Sequence, residues 1–269
     1  MKKNIFVLTS LMLTLGCGCD SFLDETNYSD VTSEGGYYDT EAGLNAVVNA
    51  CYTPLRFWAG KEDAIGLSET GTDIIAAGSG CVDNNMAAYT QSLDGTNSAC
   101  TFYFDRFYAA INWCNTAIFH AQTVPNPSND EILATTLNKR EAEARVLRTF
   151  YYWILTETFG DIYYTDQPST SIVMNPVKTS TDNIYQYMFD DLDWAIKSKL
   201  STLQNDGGRV TIWTAKALKA RLLLTRASEK NDVDMYGQAY DLAKDVIENG
   251  PFELAEDFAS IWDMKNSDG

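Results

Sequence analysis

Between Arg140 and Asp161 the chain reads REAEARVLRTFYYWILTETFGD. Leu147, Tyr151, Ile154 and Leu155 fall at i, i+4, i+7 and i+8, a spacing that gathers apolar side chains on one face of an α-helix. The helical pattern extends from about residue 130 to about 158, and Gly160 stands just past it, where a left-handed C-terminal cap is wanted. Arg145 and Arg148 lie within reach of Glu141, Glu143 or Glu157 along the helix, so their default role is to pair and stabilise it.

Similar patterns flank this run. Upstream, Thr40-Glu41 opens a stripe through Leu44, Val47, Val48, Cys51, Tyr52 and Leu55, with Pro54 near its end. Phe104, Phe107, Tyr108, Ile111, Cys114, Asn115 and Ile118 make another, stopped by Pro125 and Pro127. Downstream, Thr181 or Asp182 can cap a helix carrying Tyr185, Met188, Leu192, Ala195, Ile196 and Leu200. Gly207-Gly208 is a turn, and Thr211 caps a helix to about Ala227. The clearest stripe is Tyr236, Ala239, Tyr240, Ala243, Val246 and Ile247, ended by Gly250-Pro251. Small residues such as Ala217, Ala220, Ala239 and Ala243 let helices approach closely. The pattern predicts an all-α fold: a tetratricopeptide-like superhelix of helical pairs, without a strict repeat. A helix pair leaves an apolar face bare unless a neighbour covers it, so the pair near residues 211–249 needs a further element to pack on.

Composition narrows the function. The chain has 269 residues, 45% of them hydrophobic, enough for a real core. Its 37 acids against 20 bases give a net charge of −17, which repels phosphate backbones and anionic headgroups and argues against nucleic acid as a partner. A neutral oligosaccharide is not repelled. The single histidine, His120, rules out a site built from several histidines, and its helical setting beside Phe119 and Ala121 reads as structural. No metal or other cofactor is implied by any motif.

The N-terminus addresses the compartment. Lys2 and Lys3 precede a short apolar stretch from Ile5 to Leu15, of signal-peptide length and too short to span a bilayer. It runs into Leu15-Gly16-Cys17-Gly18-Cys19-Asp20, which looks like a lipobox. Cys19 is the favoured acyl acceptor; Cys17, better spaced from the apolar stretch, is the alternative. The expected organisation is a lipoprotein signal peptide over 1–18, a lipid-anchored polar tether over 19–40 and a helical domain over 41–269. Four further cysteines allow three complete pairings in an exported chain. Cys81 and Cys100 flank a polar segment and are the expected pair, whereas Cys51 and Cys114 sit on helical patterns as buried free thiols.

Taken in order, five stretches resemble the SusD family of nutrient-uptake lipoproteins, also called RagB/SusD. They are Cys19-Asp20-Ser21-Phe22-Leu23-Asp24; Arg140 through Tyr151-Tyr152 to Phe159-Gly160-Asp161; Ile184-Tyr185 with Asp190-Asp191-Leu192; Gly208-Arg209-Val210-Thr211 with Ala215, Ala217-Leu218 and Ala220-Arg221; and Tyr240, Ala243, Val246-Ile247 and Gly250. The second is the most specific. Tyr163-Tyr164 departs from the Pro-Leu often found after Gly-Asp in such proteins. Family members are also about twice as long, so the resemblance implies the N-terminal, repeat-bearing half of the fold. It implies a surface-exposed lipoprotein of the outer membrane that binds glycan nutrients and works with a SusC-like TonB-dependent transporter. Much of the glycan site is then expected in the other half. The runner-up is a helical protein–protein scaffold with no glycan binding of its own, and the third reading is a glycoside hydrolase fragment.

A sugar site needs flat aromatic faces and a few polar groups for hydroxyls. The glycine-rich segment 66–99 is expected to be a long loop. It offers Asp73, Asp83, Asn84, Asn85 and Tyr89, with Trp58 just before it. These six are the glycan-binding candidates. Trp113, Trp153, Trp194 and Trp213 lie on helical patterns and read as packing residues. Asp190-Asp191 and Glu141/Glu143 are paired acids, but adjacent and i, i+2 positions on a helix do not converge across a bond as glycosidase carboxylates must. The expected activity is therefore binding without catalysis.

Overall fold

The computed structural model describes residues 36–59, 62–78, 87–91, 93–126, 128–198, 200–203 and 207–262. The signal peptide, most of the tether, Cys17, Cys19, Cys81, Asp83, Asn84 and Asn85 lie outside them. The chain divides into Met1–Gly36 and Tyr37–Gly269, and the elements below belong to the second unit.

The fold is mostly helical. Helix α1 is Glu41–Tyr52, followed by the short α2, Leu55–Ala59, and α3, Glu62–Ser68. Two long helices come next, α4 at Ser98–Thr123 and α5 at Glu131–Phe159. Strands β1, Ile162–Tyr163, and β2, Lys178–Thr179, pair antiparallel with Ile162 opposite Thr179. Helices α6, Thr181–Lys197, α7, Ile212–Lys230, and α8, Val233–Asn249, complete the order, with a 3₁₀ turn at Phe258–Trp262.

Helix starts are set by side chains that accept otherwise orphaned backbone N–H groups. Thr40 Oγ1 accepts from Gly43 N at 3.0 Å, and Asp130 Oδ1 from Ile132 N at 2.8 Å. Thr211 and Thr214 cap α7 reciprocally, and Asp232 caps α8. Ser180, not Thr181 or Asp182, caps α6, because its hydroxyl faces the N–H of Asn183. Gly160 ends α5 with φ +70° and ψ −128°, which is a positive-φ stop outside the left-handed helical region and one that only glycine adopts easily.

Helix α4 packs on α5, α5 on α6 and α7 on α8, while α1 lies against both α4 and α5. The core is the meeting of their apolar faces: Leu44, Val48 and Cys51 from α1, Tyr103, Phe107, Ile111 and Cys114 from α4, Tyr151 and Leu155 from α5, and Leu192 and Leu222 from α6 and α7 are all fully buried. Phe107 and Tyr151 stack at a tilt with centroids 5.4 Å apart.

Two further features depart from the sequence reading. The expected 66–99 loop begins inside α3, and α4 starts at Ser98, so the connection runs from Glu69 to Asn97. The connector after Gly160 contains the small β1–β2 hairpin, whose entry is pinned from the helices: Tyr108 donates to Tyr163 O at 2.6 Å and Tyr152 to Thr165 O at 2.7 Å. The α8 stripe is only partly covered. Ala239 is buried against the core, whereas Tyr240 is 63% and Ile247 77% exposed, the bare face expected of a pair that needs a further element to pack on.

Candidate functional site

A cavity of about 780 Å³ opens between α2, α5, α7 and the loop after α3. Its apolar walls are Trp58, Tyr89, Trp153 and Phe159, and Glu69, Asp94, Glu157 and Arg221 supply polar groups. The size and this mixture are those of a small-ligand site.

Each wall is positioned by local chemistry. Trp58 sits on α2 with Tyr103 edge-on at 6.0 Å and Phe107 at 6.2 Å. Trp153 and Glu157 are one turn apart on α5 and so share a face. The Arg221 guanidinium lies 5.0 Å from the centre of the Trp153 ring, a cation–π arrangement that holds both side chains at the cavity wall. Glu157 Oε1 accepts from the Tyr185 hydroxyl at 2.5 Å, and burial together with that carboxylate pushes the Tyr185 phenol well above its ordinary range. Phe159 meets Phe104 edge-on at 5.4 Å.

The loop side is built from turns. Asp94 accepts from the hydroxyl and the N–H of Thr96 at 2.6 and 2.8 Å, and these two bonds hold its carboxyl below the usual carboxylate range. Thr72 turns back to bond Glu69 O at 2.7 Å, and Tyr89 is 74% exposed with φ +48°. With three carboxylates against one guanidinium that already lies on an indole, the lining disfavours an anionic ligand.

Of the six glycan candidates, the cavity brings together Trp58 and Tyr89. Asp73 is exposed and is not among the lining residues. Asp83, Asn84 and Asn85 lie outside the described residues. Trp153, Glu157, Phe159 and Arg221 were missed. Trp153 reads as packing because it stands beside the Tyr151-Tyr152 pair; its i, i+4 spacing to Glu157, off the apolar stripe, is the signal that could have found it. Cys100 is a half-buried thiol on the same cavity, raised in pKa by burial and then by Asp94. It stands unpaired, and its expected partner Cys81 is outside the described residues, so that pairing stays a proposal.

The paired acids have structural partners. Asp191 receives Arg148 through two bonds of 2.8 and 2.9 Å and Arg145 at 2.6 Å. Glu141 pairs with Arg145, and the fully buried Glu143 accepts from Tyr52 at 2.6 Å, from Arg209 at 2.8 Å and from Arg140. Asp191 is thus the partner of Arg148 that spacing along α5 could not reveal. Buried His120 bonds Asp39 at 2.7 Å, in keeping with a structural role.

A SusD-like family model described as starch-binding and associating with the outer membrane matches residues 72–265. A SusD-like protein of Bacteroides ovatus is 26% identical over 282 residues, covering 99% of this chain and 48% of that protein. The chain spans about half the length of the curated relatives it matches. A SusD homologue of Bacteroides thetaiotaomicron superposes with TM-score 0.72 at 22% identity, over 86% of this chain and 45% of that one. A structure crystallised with xylogluco-oligosaccharide superposes with TM-score 0.67 at 23% identity, over 83% and 44%.

Proposed function

The chain belongs to the SusD-like family, and on that premise we propose that it is a surface-exposed outer-membrane lipoprotein that captures neutral oligosaccharide for a SusC-like TonB-dependent transporter. The observation that carries the capture step is the cavity of about 780 Å³ with Trp58, Tyr89, Trp153 and Phe159 as walls. Aromatic faces suit the C–H surfaces of pyranose rings, and Glu69, Asp94, Glu157 and Arg221 can bond hydroxyls. Nothing in this arrangement is asked to break a bond, so the role is recognition. Acylation at Cys19, or at Cys17, would hold the chain at the membrane.

Isothermal titration of the chain against a panel of neutral oligosaccharides, xyloglucan fragments included, tests the reading. Saturable binding weakened by Trp153→Ala supports it; no binding by any member of the panel sinks autonomous capture. Mass spectrometry of the mature N-terminus tests the anchor, and an unacylated Cys17 and Cys19 would refute it.

The second reading, a helical scaffold without autonomous glycan binding, is favoured by a different observation. Tyr240 and Ile247 on α8, with Leu254 and Trp262 beyond it, are largely exposed. Co-purification of the transporter with a chain that binds no glycan would select this reading.

A further inference from the structure

Tyr185, on α6, is buried, and its hydroxyl donates at 2.5 Å to Oε1 of Glu157 on the cavity wall. The Tyr185 ring is fixed by its neighbours. Phe189, one turn on along α6, meets it with centroids 5.9 Å apart, and the Arg226 guanidinium from α7 lies 4.5 Å from its centre. Arg226 is tied in turn to Glu229 on its own helix and to Asp182 on α6. Tyr185 is not one of the lining residues, so its phenol reaches the cavity only through the carboxylate. That bond leaves Glu157 half used, because its second oxygen has no partner among the described residues. Arg221, against the Trp153 indole, has no acidic partner among the described residues either. Trp153 is thus flanked by a free acceptor one turn along α5 and by a free donor from α7.

We infer that Tyr185 is a positioning residue that presents Glu157 to the ligand, and that the cavity selects sugar rings with unsubstituted neighbouring hydroxyls. The inference rests on the glycan-capture reading. A carboxylate accepts hydrogen bonds and cannot donate them, a guanidinium only donates, and a hydroxyl does both. Two neighbouring free hydroxyls satisfy the pair at once, one donating to Glu157 and the other accepting from Arg221. Methylation or acylation of the first leaves an oxygen that can only accept, so two acceptors face each other and the carboxylate goes unpaired. Burial, and then the Glu157 carboxylate, hold the phenol protonated, so it stays a donor. A glutamate side chain loses rotamer freedom when a ligand fixes it, and one already held by a phenol is spared most of that cost.

The test titrates four chains calorimetrically against xyloglucan, laminarin and starch oligosaccharides: wild type, Tyr185→Phe, Glu157→Ala and the double variant. The expected result is that Tyr185→Phe weakens the best binder about tenfold and Glu157→Ala weakens it at least as much. Adding Tyr185→Phe to Glu157→Ala should change nothing further, because the phenol acts through the carboxylate. Equal weakening by Tyr185→Phe in both backgrounds marks a merely structural phenol and overturns the inference, as does Tyr185→Phe matching wild type. Should Tyr185→Phe fail to fold, Glu157→Gln decides, with singly methylated isomers of the best binder as probes. The phenol then donates to the amide oxygen and leaves the amide N–H groups for the ligand, so an isomer that wild type rejects should be bound about tenfold more tightly. Rejection of that isomer by both chains, or of no isomer by wild type, overturns the substrate class. Wild type that binds no unmodified sugar sinks the capture reading and the inference with it, whereas binding without the Tyr185–Glu157 coupling sinks the inference alone.

Discussion

Asp191→Ala should destabilise the domain far more than any surface ion pair could explain. Asp191 is 5% and Arg148 3% exposed, and the carboxylate accepts two bonds from Arg148 and one from Arg145. Arg145 has a second partner, because Glu141 accepts from it at 2.6 and 2.9 Å. Arg148 keeps only the neutral oxygens of Asn115, at 2.8 Å, and Asp166, at 3.4 Å. Truncation therefore leaves a buried cation without a counter-charge, at a cost of about 3–5 kcal/mol. That is a large share of the roughly 5–15 kcal/mol that holds a domain folded. In urea unfolding followed by circular dichroism, the midpoint should fall by about 1–2 M. The control is Asp191→Leu with Arg148→Met, which removes both charges and should recover most of the loss. A single variant costing under about 1 kcal/mol, in the range of exposed pairs, would refute the reasoning. So would a double variant as unstable as the single one.

Trp153→Ala should weaken glycan binding by about tenfold, the equivalent of about 1.4 kcal/mol, while circular dichroism stays unchanged; unchanged titration curves would move the site elsewhere. Gly160→Ala should lower stability by about 1–3 kcal/mol, since φ +70° with ψ −128° is strained for any residue with a Cβ, and a thermal melt unchanged from wild type would contradict the assigned conformation. The carboxyl of Asp161 is held below its ordinary value first by the Thr181 N–H and then by the Thr181 hydroxyl, and that of Asp245 chiefly by Lys216. Folded values below the unfolded value of about 3.9 mean that their contribution is complete above that pH and is lost as pH falls through the lower folded values. Stability should thus drop below about pH 4, and Asp161→Asn should make that acid limb shallower; an unaltered limb would discount the contact.

The parts of the fold legible in the sequence are those decided locally. The α5 run is read correctly because its stripe, its length and the glycine after it agree, and Thr211 is read as a cap because a hydroxyl at that place has one obvious use. The α4 start at Ser98 is missed because Ser98 to Thr101 carry no stripe; the turn continues a pattern that becomes visible only at Phe104. The β1–β2 hairpin is too short for a period, and its register depends on Tyr108 and Tyr152 reaching over from other helices. The cavity is half legible for the same reason. Trp58 and Tyr89 border one loop in sequence, whereas Trp153 and Arg221 belong to helices whose adjacency no periodicity encodes. The long connection between α3 and α4 draws attention because it breaks pattern, but the face that completes the site lies on the most regular helix.

That regularity bears on how the site works. Arg148 and Trp153 are five positions apart, which on an α-helix turns them about 140° from one another. One side of α5 faces the buried Asp191 network and the other faces the cavity. A cavity wall carried on a long helix that is locked from behind has little freedom to rearrange, so ligand binding there avoids much of the ordering cost that a loop-borne site would incur. The loop side differs, with Tyr89 largely exposed and Asp94 held only by its own turn. Affinity should accordingly reside in the α5–α7 wall, and adaptation to particular sugars in the loop. The Asp191→Ala variant then weakens capture only as far as it depopulates the folded state, because the wall itself is not reshaped. If capture by the folded fraction of that variant were lost outright, the two sides of α5 would be coupled more tightly than rigid support allows.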